Sequence, residues 1–255
     1  MYKFSKFAAG SVIAVAAAVG GTSAVLADGY TPARRVAYER PSDWSGFYFG
    51  LSSGYQWSNI DTAAASNPAV GFSNSYDSAI VGGHIGLQHQ FGSVVLGVEG
   101  NLITTFREKG EVVTCPTPSF TCVTTLEDML TIGGRVGWAA GHWMPYVTGG
   151  YANGAFTYRG STNAVTPVGY DEARSRNNGW YIGGGVEWIV SPGWTAGIEY
   201  RHYEFDDNVT SPYCLTATCS GGAGPSVPIR VDASTDSVTA RVSWKFGREA
   251  PAPLK

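Results

Sequence analysis

The chain of 255 residues has no long apolar run beyond its first 27 residues. A transmembrane helix needs roughly 18 consecutive apolar residues, and no later segment approaches that length. The pattern therefore excludes a protein that crosses a membrane with helices. Charged residues are also scarce, at 15% of the chain, against about 25% in a typical soluble domain. We expect a medium other than water to face much of the surface.

An excess of basic residues is missing as well. The chain has 17 Lys and Arg residues against 20 Asp and Glu residues, and the first 27 residues hold two of the lysines and none of the acids. A nucleic-acid partner requires a dense set of lysines and arginines. The mildly acidic remainder therefore predicts no nucleic-acid partner.

Cysteine is rare and occurs in two close pairs, Cys115 with Cys122 and Cys214 with Cys219. Neither pair has a histidine or a further cysteine nearby to complete a zinc site, so no metal is predicted. An exported chain meets an oxidising compartment, and the spacings then favour two small disulfides within loops.

The first 27 residues carry Lys3 and Lys6, then an apolar run of small residues from Phe7 to about Val25, and end in "VLA" at Ala27. This order predicts a secretory signal peptide that is cut after Ala27. An N-terminal membrane anchor is the second interpretation. Gly and Ser residues interrupt the run, which favours the cleaved peptide.

The stretch "WSGFYFGLSSGYQW", residues 44–57, alternates between large apolar and small or polar residues. A period of two indicates a strand with two unlike faces. The same pattern predicts eight strands, at about 46–57, 79–91, 94–106, 126–139, 144–158, 178–190, 194–206 and 235–246. Their lengths match or exceed the roughly 9 to 11 residues that a tilted strand needs to cross a bilayer.

The connections between these strands alternate strictly between short and long. Gly92-Ser93, the "GHW" segment at Gly141 and Ser191-Pro192-Gly193 predict tight turns, whereas long loops are predicted at 58–78, 107–125, 159–177 and 207–234. In an up-and-down meander every tight turn lies at one end, the short-turn end, and every long loop lies at the other, the long-loop end. Transmembrane barrels have this asymmetry.

Alternation by itself does not say which face meets lipid. The polar faces hold mostly Gly, Ser and Thr, which suit the narrow interior of an eight-stranded barrel. The aromatic residues of the other face form two levels, as the two interfaces of a bilayer select. The predicted belts contain Phe47, Phe91, Trp138, Trp143, Trp188, Trp194, Trp244 and Phe246 near the turns, and Tyr55, Trp57, Phe106, Trp180 and Tyr200 near the loops.

Six charged residues fall on the face predicted to line the lumen, at similar heights. They are Glu99, Arg135, Glu187, Glu199, Arg201 and Arg241. Three acids balance three arginines, and buried charges are tolerated when they are paired and hydrogen-bonded. The pattern predicts a salt-bridge plug that closes the lumen. The alternative is a switchable gate for small solutes.

Other chemistry has weaker support in the sequence. The four histidines, His84, His89, His142 and His202, are scattered, so no haem, metal or other cofactor is predicted. Ser191 and Ser243 are conceivable nucleophiles, but a hydrolase needs a base and an orienting acid within reach. No histidine convincingly shares the face and depth of either serine. We therefore predict that the protein is not an enzyme.

Several motifs resemble those of alphaproteobacterial outer-membrane beta-barrel proteins: "WSGFYFGLSSGYQW", "VLGVEGNL", "RVGWAAG", "PYVTGGYA", "YIGGGVEWIVSPGWTAGIEYRHYEF" and "ARVSWKFG". That family includes small porin-like surface antigens and haemin-binding proteins, and it is similar in form to the membrane domain of outer-membrane protein A. The resemblance implies an outer-membrane surface protein with variable external loops and a terminal aromatic residue, here Phe246, recognised during barrel assembly. The chain departs from the pattern by continuing with "GREAPAPLK" after Phe246.

Taken together, the sequence predicts an all-β protein, an eight-stranded antiparallel up-and-down transmembrane β-barrel in the bacterial outer membrane. The predicted organisation is a signal peptide at 1–27, a flexible periplasmic leader at 28–43, the barrel at 44–247 and a short C-terminal tail at 248–255. The expected role is structural and surface-interacting, with a narrow porin or a haem or ligand receptor as alternatives. The expected partners are outer-membrane lipid and lipopolysaccharide, the barrel-assembly machinery, and extracellular ligands at the loops.

Overall fold

The computed structural model describes residues 42–110, 113–114, 120–162, 170–210, 213–214, 224–225 and 228–246. The predicted signal peptide, nearly all of the leader and the C-terminal tail lie outside the described residues, as do Cys115 and Cys219. The described residues all belong to one compact unit, Pro41–Lys255.

Eight long strands form this unit: β1 (Gly46–Ala64), β2 (Asn67–Phe91), β3 (Val94–Gly110), β4 (Phe120–Trp138), β5 (Trp143–Thr162), β6 (Tyr170–Ser191), β7 (Trp194–Thr210) and β8 (Ile229–Phe246). Each pairs with the next in antiparallel fashion, and β8 pairs with β1, so the sheet closes on itself. The predicted eight-stranded up-and-down barrel is confirmed. Three two-residue strands, at 113–114, 213–214 and 224–225, add to its edges. No helix long and apolar enough to span a membrane occurs in this part of the chain.

The three predicted tight turns are present, and each contains a glycine with positive φ. The angles are 63° at Gly92, 66° at Gly141 and 76° at Gly193. L-residues rarely adopt this left-handed conformation, whereas glycine does so without steric cost. These positions therefore fix where β2, β4 and β6 end, within one residue of the prediction.

The predicted long loops are wrong in extent, because the strands continue well past the expected ends. The first of them, 58–78, is mostly strand: β1 runs to Ala64, Ala65 and Ser66 form a turn, and β2 begins at Asn67. The other strands also extend at this end, and they are 17 to 25 residues long. Roughly 9 to 11 residues are enough to cross a bilayer. The barrel wall therefore projects beyond the membrane at the long-loop end.

The extension was missed because the apolar face changes sides along each strand. Phe49, Leu51 and Tyr55 point outward on β1, but Ile60, farther along, is buried inside the barrel. On β2, Ile85 and Leu87 are exposed while Tyr76 is buried. Beyond the lipid the outer medium is water, so the apolar side chains turn inward, as in a soluble barrel. A strand pattern that inverts in this way resembles an irregular loop.

The ladder between β3 and β4 is the shortest in the barrel. Its register runs only from Val94 and Trp138 to Thr104 and Asp128, although both strands continue beyond the last pair. Strand pairing resumes only where Val113 and Thr114 pair with Cys122 and Thr121, and between these points side chains bridge the two strands. The Thr105 hydroxyl donates to the carbonyls of Leu126 and Glu127, at 3.1 Å each. We call this region the β3–β4 seam.

Candidate functional site

The lumen near its middle holds an ionic layer made of the six charged residues picked out by the sequence pattern. All six side chains are nearly inaccessible, with at most 5% of their surface exposed. They come from β3, β4, β6, β7 and β8, so the layer ties five of the eight strands together. The members are Glu99, Arg135, Glu187, Glu199, Arg201 and Arg241.

Glu99 is the centre of the ionic layer, because all three arginines contact it. Arg241 reaches both of its carboxylate oxygens, with Nη1 at 3.0 Å from Oε1 and Nη2 at 2.6 Å from Oε2. Arg201 Nη2 lies 2.8 Å from Oε1, and Arg135 Nη1 lies 3.3 Å from Oε2. The Tyr48 hydroxyl donates a further hydrogen bond to Oε2, at 2.7 Å.

The two other acids complete the pairing. Glu199 Oε2 accepts from Arg241 Nη1 at 2.7 Å and from Arg201 Nη2 at 3.1 Å, and its Oε1 lies 2.6 Å from Arg201 Nε in an ion pair. Glu187 Oε1 lies 3.1 Å from Arg135 Nη2 and 3.7 Å from Arg241 Nε. Each charge therefore has at least one opposite charge in contact, which is the condition under which burial of ions is tolerated.

Tyrosines that the sequence pattern did not single out surround the ionic layer. The guanidinium of Arg135 lies 4.0 Å from the ring centre of Tyr146, and that of Arg201 lies 4.9 Å from Tyr181. Lumen-facing glycines make room for such rings, since a Cβ at Gly133 would overlap the Tyr181 hydroxyl. The small residues of the inner face are thus paired with large ones across it.

An apolar cluster fills the lumen on the long-loop side of the ionic layer. It contains large aromatic side chains. Phe156 and Phe205 pack edge to face with ring centres 5.2 Å apart, whereas Tyr203 and Phe205 stack in parallel at 6.3 Å. The sequence predicted a small-residue interior and missed this cluster. Four of its members lie in segments that were predicted as loops, and the other nine lie on the inner face of the predicted strands. They are Ile60, Tyr76, Ile80, Ile103, Leu126, Met129, Ala152, Phe156, Tyr181, Tyr203, Phe205, Val231 and Ala233.

Trp44 closes the lumen on the short-turn side. It is fully buried and packs with Val95 and Met144. Its backbone N–H donates to Gln90 Oε1 at 2.8 Å, its carbonyl accepts from Gln88 Nε2 at 2.6 Å, and its indole N–H donates to the Gly141 carbonyl at 3.3 Å. Position before a strand gives no periodic signal, so the sequence did not reveal this role.

The segment that carries Trp44 is itself held in place. Burial disfavours the ionised Asp43 carboxylate, but the backbone N–H and hydroxyl of Ser45, followed by the charge of Lys245, keep the pKa of Asp43 below its usual value. The N–H of Ser45 lies 2.8 Å from Asp43 Oδ1, and the Lys245 ammonium contacts the Asp43 carbonyl.

The residues predicted as aromatic belts lie on the outer face of the barrel, at two heights. Trp143 stacks obliquely against Trp188, with ring centres 5.6 Å apart, and Trp194 packs edge to face on Trp244 at 4.8 Å. These contacts leave Trp188 and Trp244 half-buried. The other eleven are exposed: Phe47, Tyr55, Trp57, Phe91, Phe106, Trp138, Trp143, Trp180, Trp194, Tyr200 and Phe246. Tyr151 is a further exposed ring on this face.

One expectation about the lumen is wrong. His84 and Ser243, which the sequence did not bring together, lie in contact, with His84 Nε2 at 2.8 Å from Ser243 Oγ. The register β8–β1–β2 places both residues on the inner face at the same depth. However, His84 Nδ1 has no partner among the described residues. Both side chains are buried, so the pair lacks the orienting acid and the access that nucleophilic catalysis needs.

The remaining candidate groups show no assembled chemical site. His202 lies on the outer face, with Nδ1 2.8 Å from Asp236 Oδ1, and Tyr200 donates to the same oxygen at 2.5 Å. Across the described ranges, no group of three His, Cys, Asp or Glu side chains is placed to hold a metal ion. Cys122 is disulfide-bonded, and Cys214 lies in a two-residue strand; the other two predicted disulfide residues, and the side chain of Cys214, are outside the described part.

The comparison with family models identifies the family of the chain. The family model described as "Outer membrane protein beta-barrel domain" matches residues 13–246. No curated protein matches the chain.

Among solved structures, the chain is similar to the attachment invasion locus protein Ail of Yersinia pestis, at 11% identity and a TM-score of 0.35, over 77% of this chain and 99% of that one. It is also similar to Neisserial surface protein A, at 13% identity and a TM-score of 0.35, over 79% of this chain and 98% of that one. A third similar structure is the outer membrane protein OprG of Pseudomonas aeruginosa, at 9% identity and a TM-score of 0.43, over 80% of this chain and 97% of that one.

Proposed function

Because the chain belongs to the outer membrane protein beta-barrel domain family, we propose that it is a structural and surface-interacting component of the outer membrane with a closed lumen. The bacterial outer membrane is its location. In this role the barrel strengthens the envelope, and its outer end offers contact sites.

The observation that carries the proposal is the stack of three layers inside the barrel. Trp44, Val95 and Met144 lie at the short-turn end, the ionic layer centred on Glu99 lies next, and the apolar cluster fills the long-loop end. An eight-stranded barrel is just wide enough for its own side chains. A continuous water path would have to displace members of all three layers.

The ionic layer supports a structural role more than a switchable gate. Arg241 contacts all three acids, and Glu99 contacts all three arginines. Moving any one of these side chains out of the layer would leave a net buried charge of one unit, although every remaining member keeps a partner, and an uncompensated buried charge typically costs several kcal/mol. A gate needs two arrangements of similar free energy, whereas this network favours one.

The outer end supports a contact role. The strands extend past the upper aromatic level, and the apolar cluster inside gives this extension a core of its own. We propose that it contacts lipopolysaccharide and extracellular ligands, and that the barrel-assembly machinery inserts the protein. The alphaproteobacterial motifs indicate the bacterial group from which we propose that it comes.

Conductance in planar lipid bilayers tests the closed lumen. We expect the refolded protein, and the Trp44→Ala and Arg135→Ala variants, to show no stable open channel, because each variant leaves two layers intact. A known porin in the same bilayers serves as the positive control. Stable conductance of the unmodified protein would contradict the proposal and favour the narrow porin. A stoichiometric shift of the haem absorption band on titration would favour the receptor instead.

A further inference from the structure

A small polar cavity lies in the lumen between the ionic layer and the apolar cluster. Its wall includes Asn101, Tyr203, Ser237 and Thr239, together with the ionic-layer residues Arg201 and Arg241. The cavity volume is about 10 Å³. A buried site of roughly 10 to 15 Å³ holds one water molecule.

Besides the Nε atoms of Arg201 and Arg241, which lie near carboxylates, two side chains in the cavity wall have hydrogen-bonding atoms that the described protein does not satisfy. Asn101 is 7% exposed, and its Oδ1 accepts from Arg201 Nη2 at 3.4 Å, but Nδ2 has no partner among the described residues. The hydroxyl of Tyr203, a fully buried residue, makes no hydrogen bond of good geometry among the described residues, although the side chains of Ser237 and Arg201 lie close to it. Buried donors left unpaired are costly, and they are normally satisfied by protein or by ordered water.

The charge around the cavity decides the chemical class of its occupant. The ionic layer contains three carboxylates and three guanidinium groups, so its formal charge is zero. Both oxygens of Glu199, the acid in the cavity wall, already lie within ion-pair distance of arginine nitrogens. An additional ion would bring an uncompensated charge into a buried site. A small neutral molecule that can both donate and accept hydrogen bonds fits the site.

We propose that this cavity binds one water molecule, which accepts a hydrogen bond from Asn101 Nδ2 and pairs with the Tyr203 hydroxyl. Ile103 and Tyr203 belong both to the cavity wall and to the apolar cluster, so the site is separated from the long-loop end by apolar side chains. The water exchanges with bulk solvent only when the barrel opens transiently. This site is independent of whether the protein conducts ions.

NMR transfer of magnetisation from water to side-chain amides tests the site in the refolded, perdeuterated protein in lipid nanodiscs. We expect transfer to the side-chain amide of Asn101. Asn177 is the internal control, because it is equally buried but donates its amide to the carbonyls of Asp206 and Val231, at 3.2 and 3.1 Å. We expect no transfer there. Absence of transfer at Asn101, under conditions that give it at Gly92 in the exposed turn, would overturn the proposal.

A variant separates this water from others in the lumen. Asn101→Leu removes the donor and occupies the cavity, so transfer to the backbone amide of Thr239 is expected to disappear. Asn178→Leu, on the exposed outer face, is the matched control and should retain it. Persistence of the Thr239 signal in folded Asn101→Leu would contradict the assignment. If Asn101→Leu does not fold, the comparison of Asn101 with Asn177 in the unmodified protein decides the question.

Discussion

Arg241 on β8 and Glu99 on β3 form a bidentate pair, with nitrogen-to-oxygen distances of 3.0 and 2.6 Å. The two strands are not neighbours in the wall, so the pair acts as a brace across the lumen. Guanidinium and carboxylate groups match in a fork geometry that adds direction as well as energy. The remaining contacts of the ionic layer are arranged around this brace.

Replacing Glu99 is expected to destabilise the barrel strongly. Glu99→Ala leaves three buried arginines against two acids, and the loss of a buried partner typically costs about 3–5 kcal/mol. Asp128→Ala breaks an exposed pair with Arg176, for which about 0–1 kcal/mol is expected. Urea unfolding in phospholipid vesicles, followed by tryptophan fluorescence, measures both. Equal losses would show that the ionic layer does not hold the fold together.

A charged residue on the outward face of β1 is expected to destabilise the barrel where that face meets lipid. Leu51 is 73% exposed and lies midway between the two aromatic levels of β1, at Phe47 and Tyr55. An arginine near the bilayer midplane of a barrel costs about 2–4 kcal/mol. Ser75→Arg changes an exposed residue of the strand extension and is expected to cost little. The free energies of unfolding of Leu51→Arg and Ser75→Arg in vesicles give the comparison. If Leu51→Arg were as stable as the parent protein, lipid would not cover this face.

Gln56 is expected to be a site where an apolar residue stabilises the protein. It is fully buried, and within the described part of the chain neither its Nε2 nor its Oε1 has a hydrogen-bond partner. Gln56→Leu removes this unpaired polar group, for a gain of about 1–2 kcal/mol. Asn177→Leu, equally buried, leaves two carbonyls without their donor and should lose about 1–3 kcal/mol. The changes in the free energy of unfolding are expected to be opposite in sign for the two variants. A loss of stability in Gln56→Leu would refute the prediction.

The β3–β4 seam is expected to be the least protected part of the wall. Thr105→Val removes the hydroxyl that donates to the Leu126 and Glu127 carbonyls. Amide hydrogen exchange in the part of β4 nearest the long-loop end should therefore become faster. Thr104→Val alters the neighbouring threonine, which points outward, and should leave exchange unchanged. Hydrogen–deuterium exchange with mass spectrometry distinguishes the two. Equal exchange in both variants would mean that the hydroxyl does not close the seam.

Much of the fold follows from local signals. The period of two that marks β1 is set by backbone geometry, and Gly92, Gly141 and Gly193 end the strands because their positive φ suits few other residues. The alternation of faces likewise predicted that Glu99 and Arg241 both point into the lumen, at similar heights. These features need no knowledge of contacts distant along the chain.

The errors arose where the outcome depends on surroundings that a local pattern does not contain. Ile60 and Tyr76 were assigned to a loop, because the change from lipid to water outside the wall reverses which face is apolar. His84 and Ser243 were predicted to lie apart. The odd or even position of a residue along a strand predicts which face it is on, but only the pairing register between strands gives its depth in the lumen. Trp44 precedes the predicted first strand and was given no role, although it closes the lumen from just before β1.

The sequence by itself determined the alternation of faces, the glycine turns, the outward aromatic levels and the balance of three acids with three arginines. Tertiary structure alone decided how far the strands run, which arginine contacts which acid, and what fills the lumen above and below them. The physical reason is that alternation and turn geometry act over a few residues. Pairing register and packing join residues more than a hundred positions apart.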